Sequence, residues 1–115
     1  MRNLSQQHCY AAEAGLEPLK AEEIAELKPQ VDDEWHLSEN GMVIERLFRF
    51  SDYYETLSFV NAVAWIAHSE DHHPDMQVSY NKCLVAYTTH AVDGLSINDF
   101  ICAAKVDDLL GFDLL

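Results

Sequence analysis

Histidines are concentrated in one part of this sequence. Four of the six lie between His68 and His90, including the adjacent pair His72 and His73, and acidic residues such as Asp71 stand among them. An unperturbed imidazole titrates near pH 6.5, so clustered imidazoles can donate and accept protons at neutral pH. Nearby carboxylates orient such rings and stabilise their charged form. The segment therefore predicts general acid–base chemistry.

The histidines of this segment are not equivalent. Neighbouring residues point in different directions on a helix or a strand, so His72 and His73 cannot perform the same task on one atom. His90 is predicted to end a strand, on the face that carries Leu84, Ala86 and Thr88. Three imidazoles from a loop and a sheet can then surround a small planar ligand.

A metal site is the main alternative for this cluster, because histidine and carboxylate are ligands of first-row transition metals. His68 and His72 have the i, i+4 spacing of two helix-borne ligands, but the glutamate of an H-E-x-x-H motif is absent from its position. We therefore predict no metal. His8 and His36 stand alone and are interpreted as surface or packing residues.

Other functional classes are disfavoured by composition. The net charge of -13 repels nucleic acids and anionic membranes. Four scattered glycines form no phosphate-binding loop, and no nucleophile elbow is present, so no cofactor is expected. Cys9, Cys83 and Cys102 lack a C-x-x-C pair, which favours reduced thiols. With no signal-like or membrane-spanning apolar run, we expect a cytoplasmic protein.

The first half of the chain predicts a helix, a hairpin and a second helix. A short helix covers residues 19–27, and Pro29 ends it. Strands over 35–39 and 42–50 flank Asn40-Gly41, a dipeptide typical of type I′ turns. Asp52 and Glu55 resemble a capping box that opens the longest helix.

The second half positions the histidines. Pro74 ends the long helix near residues 69–72, so the histidine pair lies where helix becomes loop. Strands follow over 77–80 and 83–90, and Ser96 with Asp99 forms a capping box that opens the last helix. The order α-β-β-α-β-β-α predicts a single α+β domain over residues 1–115, with two layers: a four-stranded antiparallel sheet and helices packed on one face.

With these residues in place, the sequence resembles the pterin-4a-carbinolamine dehydratases, also called 4a-hydroxytetrahydrobiopterin dehydratases. The resemblance covers roughly residues 19–110. It departs from the usual pattern at His68, where glutamate is frequent, and at Met76, where some members carry tryptophan. The matching positions are His68, His72-His73-Pro74, Tyr80, His90 and Asp99, supported by Trp35, Phe48-Arg49-Phe50, Asp52-Tyr53 and Gly94-Leu95-Ser96.

The resemblance implies a hydro-lyase that dehydrates a 4a-hydroxytetrahydropterin to quinonoid dihydropterin and so recycles the cofactor of aromatic amino-acid hydroxylases. It implies proton transfer by His72 and His90 and pterin binding mainly by His73. It also implies a homodimer or homotetramer, and animal members add a role as dimerisation cofactors, which leaves an interaction module as the alternative function. The further residues expected to bind the substrate are His68, Asp71, Pro74, Thr88, Thr89 and Asp99, of which Asp71, Thr88 and Thr89 would hydrogen-bond the ring or fix the histidines.

Overall fold

The computed structural model describes residues 3–110. Three helices and four strands lie within this range, joined by short 3-10 turns and loops, and they follow the predicted order. Their bounds are α1 Ala21–Leu27, β1 His36–Leu37, β2 Ile44–Arg49, α2 Tyr53–Glu70, β3 Asp75–Val78, β4 Lys82–Tyr87 and α3 Ile97–Leu109.

The strands form one antiparallel sheet in the order β1-β2-β4-β3. The β2–β4 pair is the longest and runs from Ile44 opposite Tyr87 to Arg49 opposite Lys82. Side chains alternate between the two faces of a strand, so Cys83, Val85 and Tyr87 of β4 point to one face, where all three are fully buried. The predicted α+β fold with a four-stranded antiparallel sheet is confirmed.

Helices α2 and α3 cover the buried face of the sheet. Phe59 and Val63 of α2 and Phe100 and Ile101 of α3 are buried in the same apolar cluster as the inward side chains of β2 and β4. Trp35 closes this cluster and has no exposed surface. The long helices thus bury one face of the sheet, as the two-layer prediction required.

Both long helices begin where the sequence predicts. Asp52 accepts a hydrogen bond from the backbone N–H of Glu55 at 2.9 Å. Ser96 and Asp99 form the predicted capping box, in which the Asp99 carboxylate accepts the Ser96 N–H at 2.9 Å. These caps satisfy backbone donors that a helix leaves unpaired at its first turn.

The first hairpin differs from its prediction. Strand β1 has only two residues, and Gly41 has a positive φ of 71° whereas Asn40 does not, so the type I′ turn is wrong. The loop closes instead with Gly41 N–H donating to Ser38 O and Ser38 N–H donating to Val43 O, each at 2.9 Å. The side-chain Oδ1 of Asn40 accepts the Met42 N–H at 3.0 Å, so this side chain stabilises the longer loop.

Strand β4 also ends earlier than predicted. It stops at Tyr87, and His90 begins a 3-10 turn over His90–Val92. Thr89 pairs with Gly94 through backbone hydrogen bonds in both directions, which turns the chain out of the sheet. His90 is therefore not on the Leu84 and Ala86 face of the strand, and that part of the prediction is wrong.

Arg46 interrupts the apolar alternation of β2 because it pairs with a partly buried carboxylate. Its side chain lies on the helix side of the sheet with Ile44 and Phe48, and it donates to Asp107 of α3 at 2.7 Å. Asp107 also accepts the Trp35 indole N–H at 2.7 Å. A charge on the inner face is tolerated when it is paired and hydrogen-bonded in this way.

No helix among residues 3–110 is both long and apolar enough to cross a membrane.

Candidate active site

The predicted histidines line a cavity of about 500 Å³ at one end of the sheet. This volume is in the range of small-molecule sites. Its walls come from the end of α2 and the following loop, residues 70–73, and from the segment after β4, residues 88–91. An N-terminal wall, residues 9–13 with Leu16, closes the third side, and Asn98 of α3 lies at its base. His72, His73 and His90 are therefore brought together.

The end of α2 presents the histidine pair. Asp71 adopts a left-handed conformation, φ 53° and ψ 43°, and its backbone N–H donates to Ala67 O. The His72 N–H donates to the same carbonyl at 3.2 Å. Such a left-handed residue caps the free carbonyls of a helix and reverses the chain direction. The helix thus stops at Glu70, four residues before Pro74, so Asp71 sets the turn before the proline excludes further helix.

Asp99 holds the ring of His72. Its Oδ1 lies 2.7 Å from His72 Nε2, and its side chain is fully buried whereas 12% of the His72 side chain is exposed. The other oxygen accepts the Thr89 hydroxyl at 2.7 Å and the Ser96 N–H at 2.9 Å. A carboxylate with these donors fixes the ring orientation, and it leaves Nδ1 of His72 for a substrate.

The face of the His72 ring is also fixed. Tyr87 stacks on it with 5.8 Å between ring centroids and 10° between planes. Tyr87 is fully buried, and burial raises the pKa of its hydroxyl above the ordinary value. Tyr87 therefore acts as a rigid apolar support and remains a neutral phenol.

His73 and His90 are exposed at the pocket surface. His73 follows His72 on the loop, while His90 opens the 3-10 turn in the wall formed by residues 88–91. The site thus combines one ring held by a buried carboxylate with two solvent-accessible rings. This arrangement can supply a positioned base, an acid and a binding contact.

The residues predicted to bind substrate divide into two groups. Asp71 and Thr88 line the pocket, although the Thr88 hydroxyl donates to Met42 O at 2.6 Å. Thr89 also lines the pocket, but its hydroxyl donates a hydrogen bond to Asp99. Asp99 has no exposed surface and reaches the pocket only through His72. Thr89 and Asp99 thus position a histidine, and substrate binding by either residue stays a prediction.

His68 and Pro74 do not line this pocket. His68 is exposed on α2, with its ring 5.7 Å from that of Trp65. Pro74 precedes β3 and shapes the loop. Within residues 3–110 no group of three or more histidine, cysteine, aspartate or glutamate side chains is placed to hold a metal ion. The i, i+4 pair of the metal alternative is divided, since His72 Nε2 faces Asp99.

The N-terminal wall of the pocket was not predicted from the sequence. Tyr10 is held by Asn98 through two hydrogen bonds of 2.9 Å, one in each direction between backbone and side chain. The Cys9 N–H donates to Glu70 at 2.7 Å, and His8 lies 2.8 Å from the same carboxylate. These partners are separated by 61 to 88 residues along the chain, so no local periodicity marks this wall as part of a site.

Comparison with known proteins places the chain in a family. The sequence model described as Pterin 4 alpha carbinolamine dehydratase matches residues 17–109. The chain belongs to the pterin 4 alpha carbinolamine dehydratase family. A Nitrosomonas eutropha protein named as a candidate pterin-4-alpha-carbinolamine dehydratase is 56% identical over 94% of this chain and 94% of its own length. A Xanthomonas campestris protein of the same name is 58% identical over 92% and 89%.

Solved structures show the fold of this family. A Brucella melitensis protein described as a transcriptional coactivator/pterin dehydratase has a TM-score of 0.76 and 28% identity, covering 80% of this chain and 97% of its own. A pterin dehydratase-like protein described as a RuBisCO assembly factor in the alpha-carboxysome has a TM-score of 0.60 and 22% identity, covering 68% and 90%. At that identity the second structure shows the fold alone.

Proposed function

We propose that this chain dehydrates a 4a-hydroxytetrahydropterin to the quinonoid dihydropterin, recycling the pterin cofactor of aromatic amino-acid hydroxylases. The observation that carries the proposal is the buried Asp99 carboxylate 2.7 Å from Nε2 of His72, at the wall of a pocket that His73 and His90 also line. Membership of the dehydratase family supports the reaction class.

The reaction needs one proton delivered and one removed. The C4a–O bond breaks as the hydroxyl receives a proton and leaves as water, and the N5–H bond breaks so that its electron pair forms the C4a=N5 double bond. Unassisted, the leaving group is hydroxide, a poor leaving group because its conjugate acid, water, is a very weak acid. General acid catalysis removes this burden and typically contributes about 10²- to 10⁴-fold.

His72 is assigned as the base of this reaction. With Nε2–H donating to the Asp99 carboxylate, the neutral ring has its lone pair on Nδ1, and the carboxylate stabilises the imidazolium formed when Nδ1 takes the N5 proton. His90, which lines the same pocket and is exposed, is assigned as the acid that protonates the hydroxyl. His73 and the Asp71 carboxylate are assigned to binding the ring, since both line the pocket and a carboxylate accepts from ring N–H donors.

A stopped-flow assay tests this proposal. Chemically generated 4a-hydroxytetrahydropterin is mixed with the chain, and its disappearance is compared with the spontaneous reaction. We expect His90→Ala to lose about 10²- to 10⁴-fold in kcat. His72→Gln should lose as much, because its amide can still donate to Asp99 but cannot exchange a proton at neutral pH.

The matched control is His36→Ala, which removes an exposed histidine of β1 far along the chain from the pocket residues. It should keep wild-type turnover, and thermal unfolding should show that all variants are folded. If the wild-type chain does not accelerate the reaction, the proposed dehydratase activity is wrong. If both site variants keep near-wild-type turnover, the acid and base roles of His90 and His72 are wrong.

A further inference from the structure

Two thiols meet beside the pocket. Cys9 of the N-terminal wall and Cys102 of α3 have their sulfur atoms 3.5 Å apart, although 93 residues separate them along the chain. Both are free thiols. A disulfide bond is about 2.05 Å long, so the sulfurs need to approach by only about 1.5 Å to be joined.

The surrounding hydrogen bonds hold Cys9 against α3. The backbone of Tyr10, the next residue, is clamped to Asn98 in both directions at 2.9 Å. The backbone N–H of Cys9 itself donates to Glu70 at 2.7 Å. Further toward the N-terminus, Leu4 is buried in the core and Ser5 O accepts from Lys105 at 2.8 Å. The native fold therefore brings the two sulfurs together before any bond forms.

We propose that Cys9 and Cys102 are a disulfide-forming pair, oxidised by a small disulfide such as oxidised glutathione. In the first step the Cys9 thiolate attacks a glutathione sulfur, the glutathione S–S bond breaks, and one glutathione thiolate leaves. In the second step the Cys102 sulfur, losing its proton, attacks Cys9 and displaces the second glutathione. The two protein thiols are oxidised, and one glutathione disulfide is reduced to two thiols.

The environments of the thiols set the order of these steps. Cys102 is fully buried, whereas Cys9 is half-buried and lines the pocket. The hydrogen-bonded contact of Cys102 with Cys9, together with burial, raises the pKa of the Cys102 thiol. Cys9 is therefore the sulfur that meets the oxidant, and Cys102 resolves the mixed disulfide. Cys83 is buried in β4, and burial raises the pKa of its thiol to about 11, so it stays reduced.

The bond would fasten the N-terminal wall to the rest of the site. Cys9 and Tyr10 begin this wall, and His72, on the other side, depends on Asp99 of the same helix that carries Cys102. A cross-link between the wall and α3 fixes the width of the pocket on that side. Because it closes a loop of 93 residues, it also restricts the unfolded chain strongly.

Oxidation of the intact chain in a glutathione redox buffer tests the proposal. Intact mass should show the loss of two hydrogens, and titratable thiols in the unfolded, unreduced protein should fall from three to one. The Tm should rise on the order of 10 °C and return on reduction with dithiothreitol. These readouts do not depend on turnover. The disulfide proposal can therefore be wrong while the proposed dehydratase reaction is right, and the dehydratase proposal can be wrong while the disulfide forms.

Cys9→Ser and Cys83→Ala form the matched comparison. Cys9→Ser changes a half-buried side chain and should abolish both the mass change and the Tm rise, whereas Cys83→Ala should keep them with thiols falling from two to none. Three titratable thiols after oxidation of the wild type, a glutathione adduct that persists on Cys9, or an unchanged Tm rise in Cys9→Ser would each overturn the proposal.

Discussion

At the scale of single residues, Asp99 joins a structural and a chemical task. One carboxylate oxygen accepts the Ser96 N–H and the Thr89 hydroxyl, and the other lies 2.7 Å from His72 Nε2. Asp99 is the third residue of α3, so the capping box that begins the helix also directs its other oxygen at His72. A residue that looks like a plain helix cap therefore sets the tautomer of the proposed base.

Asp99→Asn should separate these tasks. The amide oxygen is required where the Ser96 N–H and Thr89 hydroxyl donate, so the amide NH₂ faces His72 and donates to Nε2. The proton of the neutral ring then moves to Nδ1, which removes the base. We expect kcat to fall by about 10²- to 10⁴-fold with little change in KM, as for other histidines given the wrong tautomer.

Steady-state kinetics and thermal unfolding check this prediction. The control Ser96→Ala loses the side-chain cap, so it should lower the free energy of unfolding by about 1 kcal/mol and largely keep kcat. An Asp99→Asn variant with wild-type kcat would show that the contact with His72 is structural only.

At the scale of elements, the end of α2 determines where the histidine pair lies. Pro74 makes a helix end inevitable, but the left-handed Asp71 determines the residue at which it ends. The same conformation recurs at Asp93, φ 54°, where it closes the 3-10 turn that carries His90. The two walls that carry histidines, residues 70–73 and 88–91, thus each depend on an aspartate in a conformation that L-residues adopt at a cost.

Glycine substitution at these two positions should separate conformation from chemistry. Glycine relieves about 1 kcal/mol of left-handed strain and costs about as much in chain entropy, so Asp71→Gly and Asp93→Gly should unfold within about 0.5 kcal/mol of wild type. Asp71→Val should lose about 1–2 kcal/mol because a β-branched residue disfavours this region.

Only Asp71 lines the pocket, so Asp71→Gly should raise KM while Asp93→Gly leaves it unchanged. Denaturant unfolding and substrate titrations measure the two effects. Equal KM values in both glycine variants would remove Asp71 from the binding site.

At the scale of the whole molecule, Glu70 connects the N-terminal wall to the two long helices. Its side chain is only 5% exposed, and it contacts His8, the Cys9 N–H and Lys105. Burial alone would raise the pKa of this carboxyl, but the Cys9 and His8 hydrogen bonds and the Lys105 charge hold it below the ordinary value. A carboxylate with a depressed pKa stabilises the fold above its unfolded-state pKa, and this stabilisation is lost as pH falls through the folded pKa.

Glu70→Gln should therefore destabilise the chain in a pH-dependent way. At pH 7 we expect a loss of about 2 kcal/mol, since hydrogen bonds to a charged group are replaced by weaker ones. The difference from wild type should begin to shrink as pH falls below about 4.5, where the carboxyl of the unfolded chain takes up a proton, and it should vanish below the lower pKa of the folded carboxyl. Urea unfolding at several pH values measures it. Glu22→Gln, at an exposed position of α1, is the control, and a gap that is constant with pH would contradict the assignment.

The interaction-module alternative, the predicted homodimer or homotetramer and the cytoplasmic location stay predictions. The coactivator and assembly roles belong to the solved relatives whose folds this chain shares.

Much of the fold follows from local sequence signals. Caps at Asp52 and Ser96, the stop at Pro74 and the alternation in β4 depend on residues within a few positions, so the element order and the starts of α2 and α3 were predicted correctly. The predicted type I′ turn of the first hairpin was wrong because the Asn40 side chain accepts a hydrogen bond within a longer loop. The predicted end of β4 was wrong because the backbone of Thr89 pairs with Gly94 and the chain leaves the sheet.

The sequence alone determined that imidazoles and carboxylates are concentrated in one segment and that a helix must end there. Tertiary structure decided which groups touch: Asp99 meets His72 across 27 residues, Tyr10 meets Asn98 across 88, and Cys9 meets Cys102 across 93. Local propensity reaches about one helical turn, whereas these contacts exist only because α2, α3 and the N-terminal wall pack together at one end of the sheet.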